Sequence, residues 1–359
     1  MRLRLEPRGQ QSVLWAYGSP VLALVLTLVV AAIIFAVLGK DPARSLYTFF
    51  IAPLVNATAR PELLVKATPL VLIGIGLSLG FRANVWNIGA EGQYTLGAIC
   101  GGGLALLFPD SNSLLLLPAM LLLGMAGGMA WAAIPALLRT RFNANEILTS
   151  LMLTYVAQQL LIYLVVGPWK DPEGYGFPQS RLFQEAATLP ILVPGTRIHL
   201  GVLFAVIAVA LGWLVLSKAA IGFQLKVIGQ APRAARYAGF KENRLIWLVL
   251  LLGGALAGLA GIVEVTSTVG QLTTQISPGY GFTAIIVAFL GRLNPIGVML
   301  AGLILALSYL GGEVAQIELA MPNAVTGIFQ GVLLFFLLAC DILILYRVRI
   351  DRPAAAGGS

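Results

Sequence analysis

Side chains suited to recognising a polar solute are concentrated in residues 81–93, which read FRANVWNIGAEGQ. The residues there that could contact a solute are Asn84, Trp86, Asn87, Glu91 and Gln93. Carboxamides donate and accept hydrogen bonds without a charge, and an indole ring offers a flat face to a sugar or a nucleobase. Apolar runs flank the stretch, and polar backbone at membrane depth is tolerated only inside protein or beside a wet cavity. The stretch therefore predicts part of a substrate pathway. The alternative is a cytoplasmic loop in which Trp86 is an interfacial aromatic residue.

A second polar stretch, residues 141–149, reads RFNANEILT and precedes another apolar run. Asn145 has the side chain of a helix N-cap, which places Glu146 in the first helical turn. Both residues are included in the predicted pathway. For Glu146 we favour the structural alternative, in which the carboxylate stabilises the helix N-terminus and contacts no solute.

The third stretch, residues 218–244, carries six basic residues and a single acidic one, Glu242. Its middle predicts a short helix over 231–238, because proline suits a first helical turn, alanine favours helix and Gly239 is a natural stop. Such a helix outside the membrane could dock into a groove on another protein. The residues assigned to this docking are Pro232, Arg233, Ala234, Ala235, Arg236, Tyr237 and Gly239. The alternative is an ordinary basic loop on the inner side.

Several kinds of chemistry are excluded by what the chain lacks. His199 is the only histidine and Cys100 and Cys340 are the only cysteines, so a multi-histidine metal site, a histidine-based proton relay or a disulfide scaffold is not expected. The sequence has no G-x-x-x-x-G-K-[S/T] nucleotide-binding motif. We therefore expect neither an enzyme nor a metal or cofactor site in this chain.

The elements that must position these stretches are membrane helices. Charged residues are 11% of the 359 residues, against about 25% in a soluble globular protein. A surface facing water needs more charge than this, so the chain is predicted to be an integral membrane protein. Its charge-free stretches are 9–39, 67–81, 92–109, 111–138, 147–169, 198–217, 245–263, 265–291, 293–312 and 319–340.

Because a crossing needs ~20 mostly apolar residues, these stretches predict an all-α polytopic membrane protein with about ten transmembrane helices. Gly281 to Leu290 is an apolar piece only ~15 Å long, which predicts a re-entrant half-helix and lowers the number of crossings to eight. A faint likeness between Gly80–Asn84 and Gly291–Asn294 further predicts a pair of interrupted helices that meet at the pathway.

Basic residues favour the cytoplasmic side, which predicts that both termini lie there. The predicted organisation is a cytoplasmic tail over 1–12, a membrane domain over 13–346 and a second cytoplasmic tail over 347–359. Within the membrane domain, 168–197 is an outside loop and 218–244 an inside loop. At about 30 residues the outside loop exceeds the usual connection length, which indicates binding or gating; a hairpin that packs on the helix ends is the alternative.

Three motifs together resemble one family of transporters. Gly229–Gly239 (GQAPRAARYAG) looks like the coupling-helix segment of ABC-importer permeases of the branched-chain-amino-acid and sugar type. Phe81–Gln93 and Ala288–Gly297 (AFLGRLNPIG) are similar to the sugar–nucleoside branch of that family. The resemblance covers roughly residues 60–345. It implies the ABC-importer permease fold and a coupling role for residues 231–238.

The resemblance also implies partners. These are a cytoplasmic ABC ATPase that binds the ATP and Mg²⁺, a second permease, and a periplasmic or lipid-anchored solute-binding protein, in a bacterial inner membrane and without nucleic acid. The second permease is expected to be a related, different chain, although an identical copy stays open.

The expected function is ATP-driven import of a nucleoside by alternating access, with a simple sugar as the alternative. An ion-coupled secondary transporter is the rival class. It would need several carboxylates deep in the membrane, and only Glu91 and Glu146 are candidates. A channel and an intramembrane enzyme are disfavoured, since no selectivity filter and no catalytic cluster are recognisable.

Overall fold

Helices make up most of the residues that the structure describes, as predicted. The computed structural model describes residues 2–7, 13–174, 176–322 and 324–351. The helices are α1 Val13–Val37, α2 Pro42–Leu46, α3 Ala52–Val55, α4 Ala59–Arg82, α5 Ala90–Leu107, α6 Leu116–Phe142, α7 Glu146–Val166, α8 Gly201–Ser217, α9 Ala220–Gln230, α10 Pro232–Tyr237, α11 Glu242–Glu264, α12 Tyr280–Leu290, α13 Pro295–Leu319 and α14 Ala324–Leu345. Short π-helical turns cover Tyr47–Ile51 and Val265–Val269, and a 3-10 turn covers Glu185–Ala187. Two strands, β1 Arg2–Pro7 and β2 Tyr346–Asp351, complete the structure.

Among the described residues, seven helices are long and apolar enough to cross a membrane, namely α1, α4, α6, α7, α11 with its π-helical turn, α13 and α14. An eighth crossing results if α8 and α9, which meet at a 70° bend, form one broken span. The chain is thus a multi-pass membrane protein, but ten crossings are too many, and eight is the lower end of the predicted range. The sequence count was too high because stretches 92–109 and 265–291 form α5 and the short α12, which follow interruptions of the chain.

The chain divides into two compact units. The terminal unit comprises residues 1–53 and 308–359. Within it α1 packs along α14, and Phe49 lies between Phe35 and Phe329, with ring centroids 6.3 and 5.8 Å away. β1 and β2 pair antiparallel, with Arg2 opposite Asp351. Since β1 precedes α1 and β2 follows α14, this pairing brings the beginning of α1 and the end of α14 to the same end of the terminal unit.

The core unit comprises residues 54–307 and is built around α11, which packs on α4, α5 and α6. Glycines make these approaches close. A Cβ on Gly97 of α5 would overlap the backbone of Gly258 of α11, and a Cβ on Gly128 of α6 would overlap Gly254. The four-residue glycine spacing therefore lets the backbones of these helices touch, as it does in other membrane helices.

The predicted outside loop is folded onto the ends of the helices. Main-chain N–H groups of Ser180, Phe183 and Leu189 donate to the carbonyls of Leu272, Gly270 and Thr266, at 2.8, 2.8 and 3.0 Å. The loop is thus hydrogen-bonded to the segment between α11 and α12. This packing is the structural alternative considered for residues 168–197.

Candidate functional site

The polar stretch 81–93 turns back into the helix bundle. Helix α4 ends at Arg82, and left-handed Asn84 (φ 56°) reverses the chain, with the Val85 N–H donating to the Gly80 carbonyl at 2.9 Å. Gly253 of α11 then lies against both the Asn87 Nδ2 and the Gly76 carbonyl. Gly76 is six residues before the end of α4, so Asn87 lies about 9 Å back along that helix. The chain thus turns back along α4 into the core unit, and we call residues 83–89 the re-entrant segment.

Two of the predicted pathway residues bind each other. Asn87 Nδ2 donates to Gln93 Oε1 at 2.9 Å, and Gln93 Nε2 donates to Asn87 Oδ1 at 3.1 Å. Both side chains are buried. Gly89 N also donates to Asn87 Oδ1, at 3.2 Å. The two carboxamides thus tie the re-entrant segment to the first turn of α5, and their hydrogen bonds are made within the protein.

Glu91 joins the first interruption to the second. Its Oε2 accepts a hydrogen bond from the main-chain N–H of Gly281, at 2.5 Å, in the first turn of α12. The rings of Tyr94 and Tyr280 meet edge to face with centroids 6.3 Å apart. The N-termini of α5 and α12 therefore meet inside the core unit, and both direct the positive ends of their helix dipoles to this place. The two stretches that resemble each other, Gly80–Asn84 and Gly291–Asn294, also meet, since Arg82 Nε donates to the Leu293 carbonyl at 3.0 Å; that they line a solute pathway stays a prediction.

Trp86 contacts two aromatic neighbours, stacked on Phe289 and tilted against Phe81. Its ring centroid lies 5.1 Å from Phe81 and 5.7 Å from Phe289, and its Nε1 donates to Asn84 Oδ1 at 3.0 Å. Trp86 and Phe289 are half-buried and Asn84 is exposed. One side of this aromatic cluster is thus open, and it continues along α12 to exposed Phe282.

The second polar stretch is structural, with one link to the first. Asn145 Oδ1 accepts from Ile147 N at 2.9 Å, so Asn145 is the predicted N-cap of α7. Glu146 forms an ion pair with Arg139 and accepts a hydrogen bond from Trp86 N at 3.3 Å. The structure therefore brings Glu146 next to the re-entrant segment. Asn145, the preceding residue in the chain, is exposed.

The outer face of α7 carries polar residues that sequence reasoning missed. The inner face of α7 packs through Ser150 and Thr154 against Gly89 and Gly92. The outer face exposes Tyr155, Gln158, Gln159 and Tyr163. Side-chain amides facing lipid are unfavourable, so this face requires a protein partner or a water-filled pathway. The available signal was the adjacent Gln158 and Gln159 in the middle of an apolar run.

The 218–244 segment forms an elbow, which we define as α9, α10 and the turn to α11. α10 covers Pro232–Tyr237, and Gly239 ends it in the left-handed region at φ 77°. Ala235 is the buried residue of α10, whereas Pro232, Arg233, Ala234, Arg236 and Tyr237 are exposed. Arg236 pairs with Glu242 at 3.1 Å. The predicted short helix exists and presents nearly all of its surface outward.

The elbow rests directly on the beginning of the re-entrant segment. A Cβ on Gly229 of α9 would overlap the main-chain carbonyl of Arg82. Ala235 belongs to the same buried cluster as Ala83 and Val85. A displacement of the elbow must therefore act on residues 82–85, which lead into the Asn87 and Glu91 contacts.

His199 is structural. It is buried in the connection before α8, where its Nδ1 accepts a hydrogen bond from Gly201 N at 3.1 Å. Burial, with a smaller contribution from Arg197, lowers the pKa of His199 from 6.5 to about 4. The ring is therefore neutral at pH 7. Among the described residues, no group of three or more His, Cys, Asp or Glu side chains could hold a metal ion.

Comparisons with known proteins find similarity to transport permeases. The family described as "Branched-chain amino acid transport system / permease component" matches residues 61–338. A glucose ABC transporter permease protein of Haloferax volcanii is 39% identical, covering 100% of this chain and 98% of its own. A guanosine ABC transporter permease protein of Bacillus subtilis is 29% identical over 88% of this chain and 91% of its own. A solved structure described as an inward-facing conformation of a metal-chelate type ABC transporter covers 90% of this chain and 99% of its own, at 19% identity and a TM-score of 0.45.

Proposed function

This chain belongs to the permease-component family of the branched-chain amino acid transport systems, and on that premise we propose that it is the permease subunit of an ATP-driven importer of nucleosides. The observation that carries the proposal is the meeting of the α5 and α12 N-termini through Glu91 and Gly281, with the partly open Trp86 cluster near the other end of α12. Interrupted helices that meet within a bundle are a common site of solute passage in transporters. Aromatic faces and neutral polar groups suit a base and a ribose.

Relatives support the class of solute. The matched proteins of Bacillus subtilis and Lactococcus lactis are permeases for guanosine and for nucleosides, respectively. A simple sugar is the second candidate, because the chain has 39% identity to the glucose permease of Haloferax volcanii over nearly the full length of both. Both solutes are neutral and rich in hydroxyl groups, which fits a site in which Glu91 and Glu146 are already engaged.

The partners follow from the proposed mechanism. A cytoplasmic ATPase would bind ATP and Mg²⁺ and would contact the exposed residues of α10. A solute-binding protein would deliver the nucleoside at the opposite side of the membrane. A second, related permease would cover the outer face of α7, where Tyr155 and Gln159 are exposed. The chain would lie in a bacterial inner membrane with the paired tails in the cytoplasm. Closure of the ATPases would move the elbow, and the Gly229–Arg82 contact would transmit this movement to the re-entrant segment.

The proposal is tested by reconstituting this chain with its ATPase, second permease and binding protein in proteoliposomes. We expect uptake of radiolabelled guanosine into the proteoliposomes. Uptake should require ATP on the side of the membrane that carries the ATPase and the binding protein on the opposite side. Titration of the binding protein with nucleosides and with glucose then decides the solute. Robust uptake by this chain alone, insensitive to ATP, would show that it is a secondary transporter.

A further inference from the structure

A cavity of about 390 Å³ lies where the C-terminal ends of α4, α9 and α12 converge in the core unit. Its lining consists of Phe81, Arg82, Asn84, Lys226, Gly229, Gln230, Arg292 and Leu293. Three of these residues are basic and none is acidic. The volume lies in the range of small-ligand sites, roughly 300–1,000 Å³. The lining shares Phe81 and Asn84 with the Trp86 cluster and includes the Gly229–Arg82 contact, but none of the contacts assigned above to the solute or to the ATPase uses its three basic side chains.

The bases are built into the cavity walls at different depths. Arg82 Nε donates to the Leu293 carbonyl at 3.0 Å, so the ends of α4 and α12 are joined across the cavity. Arg82 and Arg292 are half-buried, whereas Lys226 is exposed. Asn84 and Gln230, both exposed, add neutral donors beside them. The bases therefore provide two half-buried guanidinium groups and one exposed ammonium group around the same space.

The end of α12 keeps Arg292 at this wall at a conformational cost. Arg292 and Leu293 have φ of 58° and 53°, in the left-handed region that residues other than glycine rarely adopt. The Leu293 N–H donates to the Ala288 carbonyl at 2.9 Å, which is the geometry of a helix ending that normally has glycine at position 292. Residues held in such conformations cluster at ligand clamps.

A simpler reading is that each base complements the negative end of its own helix. That reading explains Arg82, in the last turn of α4, and Arg292, just past α12, but not Lys226, which lies before the last turn of α9. It does not explain why the three helix ends leave an open volume of this size between the bases. Guanidinium groups match the geometry of phosphate oxygens, and basic pockets between membrane helices at a membrane surface bind phosphate-bearing head groups.

We propose that the cavity formed by Arg82, Lys226 and Arg292 binds a phosphate group, supplied by the head group of an anionic phospholipid or by a soluble phosphate. Its position at the ends of membrane helices, beside the elbow, favours the lipid. A phosphate seated there would hold the ends of α4, α9 and α12 together, and it would thereby tune how firmly the elbow engages the re-entrant segment.

The test uses the full chain purified in detergent with mixed phosphatidylglycerol and phosphatidylcholine, and native mass spectrometry counts the retained lipids. Radiolabelled inorganic phosphate is the second probe, without lipid. The variants are Lys226→Gln, Arg292→Gln and the conservative Lys226→Arg. Arg244→Gln is the matched control, because it removes the same charge from the same basic segment but does not line the cavity. Thermal unfolding identifies any variant that fails to fold.

We expect Lys226→Gln to lower phosphatidylglycerol retention about fivefold, which corresponds to about 1 kcal/mol, and Lys226→Arg and Arg244→Gln to retain it. Binding of inorganic phosphate with the same dependence on Lys226, without a lipid preference, would support the phosphate chemistry and assign its source to solution. The proposal would be overturned if Arg244→Gln lost as much phosphatidylglycerol as Lys226→Gln. It would also be overturned if neither phosphatidylglycerol retention nor phosphate binding depended on the cavity bases. Absence of phosphate binding together with a crosslink from Lys226 to an ATPase carboxylate would also overturn it, because the cavity would then be a protein contact.

Discussion

Gly229 of α9 lies against the main-chain carbonyl of Arg82 so closely that a Cβ at position 229 would overlap the carbonyl oxygen. This contact joins the exposed elbow to the residue at which α4 ends and the re-entrant segment begins. Backbone against backbone is a stiff connection, because no side chain can change rotamer to absorb a displacement. The contact is therefore the place where a force on α10 would enter the membrane-embedded part of the chain.

Gly229→Ala should separate the elbow from α4. Accommodating the methyl group requires a backbone shift, for which overpacking typically costs about 1–3 kcal/mol, and we expect ATP-driven uptake to fall several-fold. Uptake in proteoliposomes and thermal unfolding measure both effects. Gly331→Ala in α14 is the control, because its Cβ would meet no atom within 4 Å. Equal uptake in both variants would show that the contact transmits nothing.

Replacing Arg233 and Tyr237 should uncouple ATP hydrolysis from uptake. Both side chains are exposed, and that of Tyr237 is 95% exposed, so each substitution should change the free energy of unfolding of this chain by less than about 0.5 kcal/mol. The measurements are uptake and substrate-stimulated hydrolysis by the assembled complex, with Arg244→Gln as the charge control. Survival of transport and stimulated hydrolysis in Arg233→Ala/Tyr237→Ala would show that α10 does not dock on the ATPase.

Glu91 distinguishes the two transporter classes. In Glu91→Gln the carboxamide oxygen can still accept the Gly281 N–H, so uptake should fall less than about threefold if the carboxylate serves as a hydrogen-bond acceptor. Glu91→Ala removes the acceptor and leaves the N–H unpaired, at about 1–3 kcal/mol, and should reduce both uptake and stability. Loss of all transport in Glu91→Gln, with stability retained, would instead indicate a carboxylate that carries a coupling ion.

Trp86→Ala and Asn87→Ala should affect uptake and stability differently. Trp86 is half-buried on the open side of the aromatic cluster, so its loss should lower uptake more than stability. Asn87→Ala leaves the buried Gln93 carboxamide without its partner, at about 1–3 kcal/mol, and should lower both. Solute concentration series and thermal unfolding separate the cases. Unchanged uptake kinetics in Trp86→Ala would place the pathway elsewhere.

Stability should decrease in mild acid through His199. Its pKa is about 4 in the folded chain and about 6.5 when unfolded, so the unfolded chain binds more protons between these values. Stability is therefore full above about pH 6.5 and is lost progressively as the pH falls towards 4. Thermal unfolding at a series of pH values measures this, and His199→Asn should flatten the dependence in that window. An unchanged slope in the variant would assign the effect to other groups.

Local sequence patterns were sufficient for the features that depend on a few adjacent residues. Pro232 and Gly239 bracket α10 as predicted, Asn145 caps α7, and the short apolar piece before Leu290 forms the half-helix α12. The number of crossings was overestimated, because hydropathy does not show whether an apolar stretch such as 92–109 begins at the membrane surface or inside the bundle.

The sequence by itself determined that this is a helical membrane protein with a basic elbow and polar interruptions, since composition, apolar length and helix-ending residues act locally. Only the tertiary structure decided what the polar residues do. Asn87 and Gln93 bind each other, Glu146 pairs with Arg139, and Glu91 holds the start of α12. These partners are chosen by packing between segments up to 190 residues apart. A hydrogen bond depends on distance and direction in space, and the order of residues along the chain specifies neither.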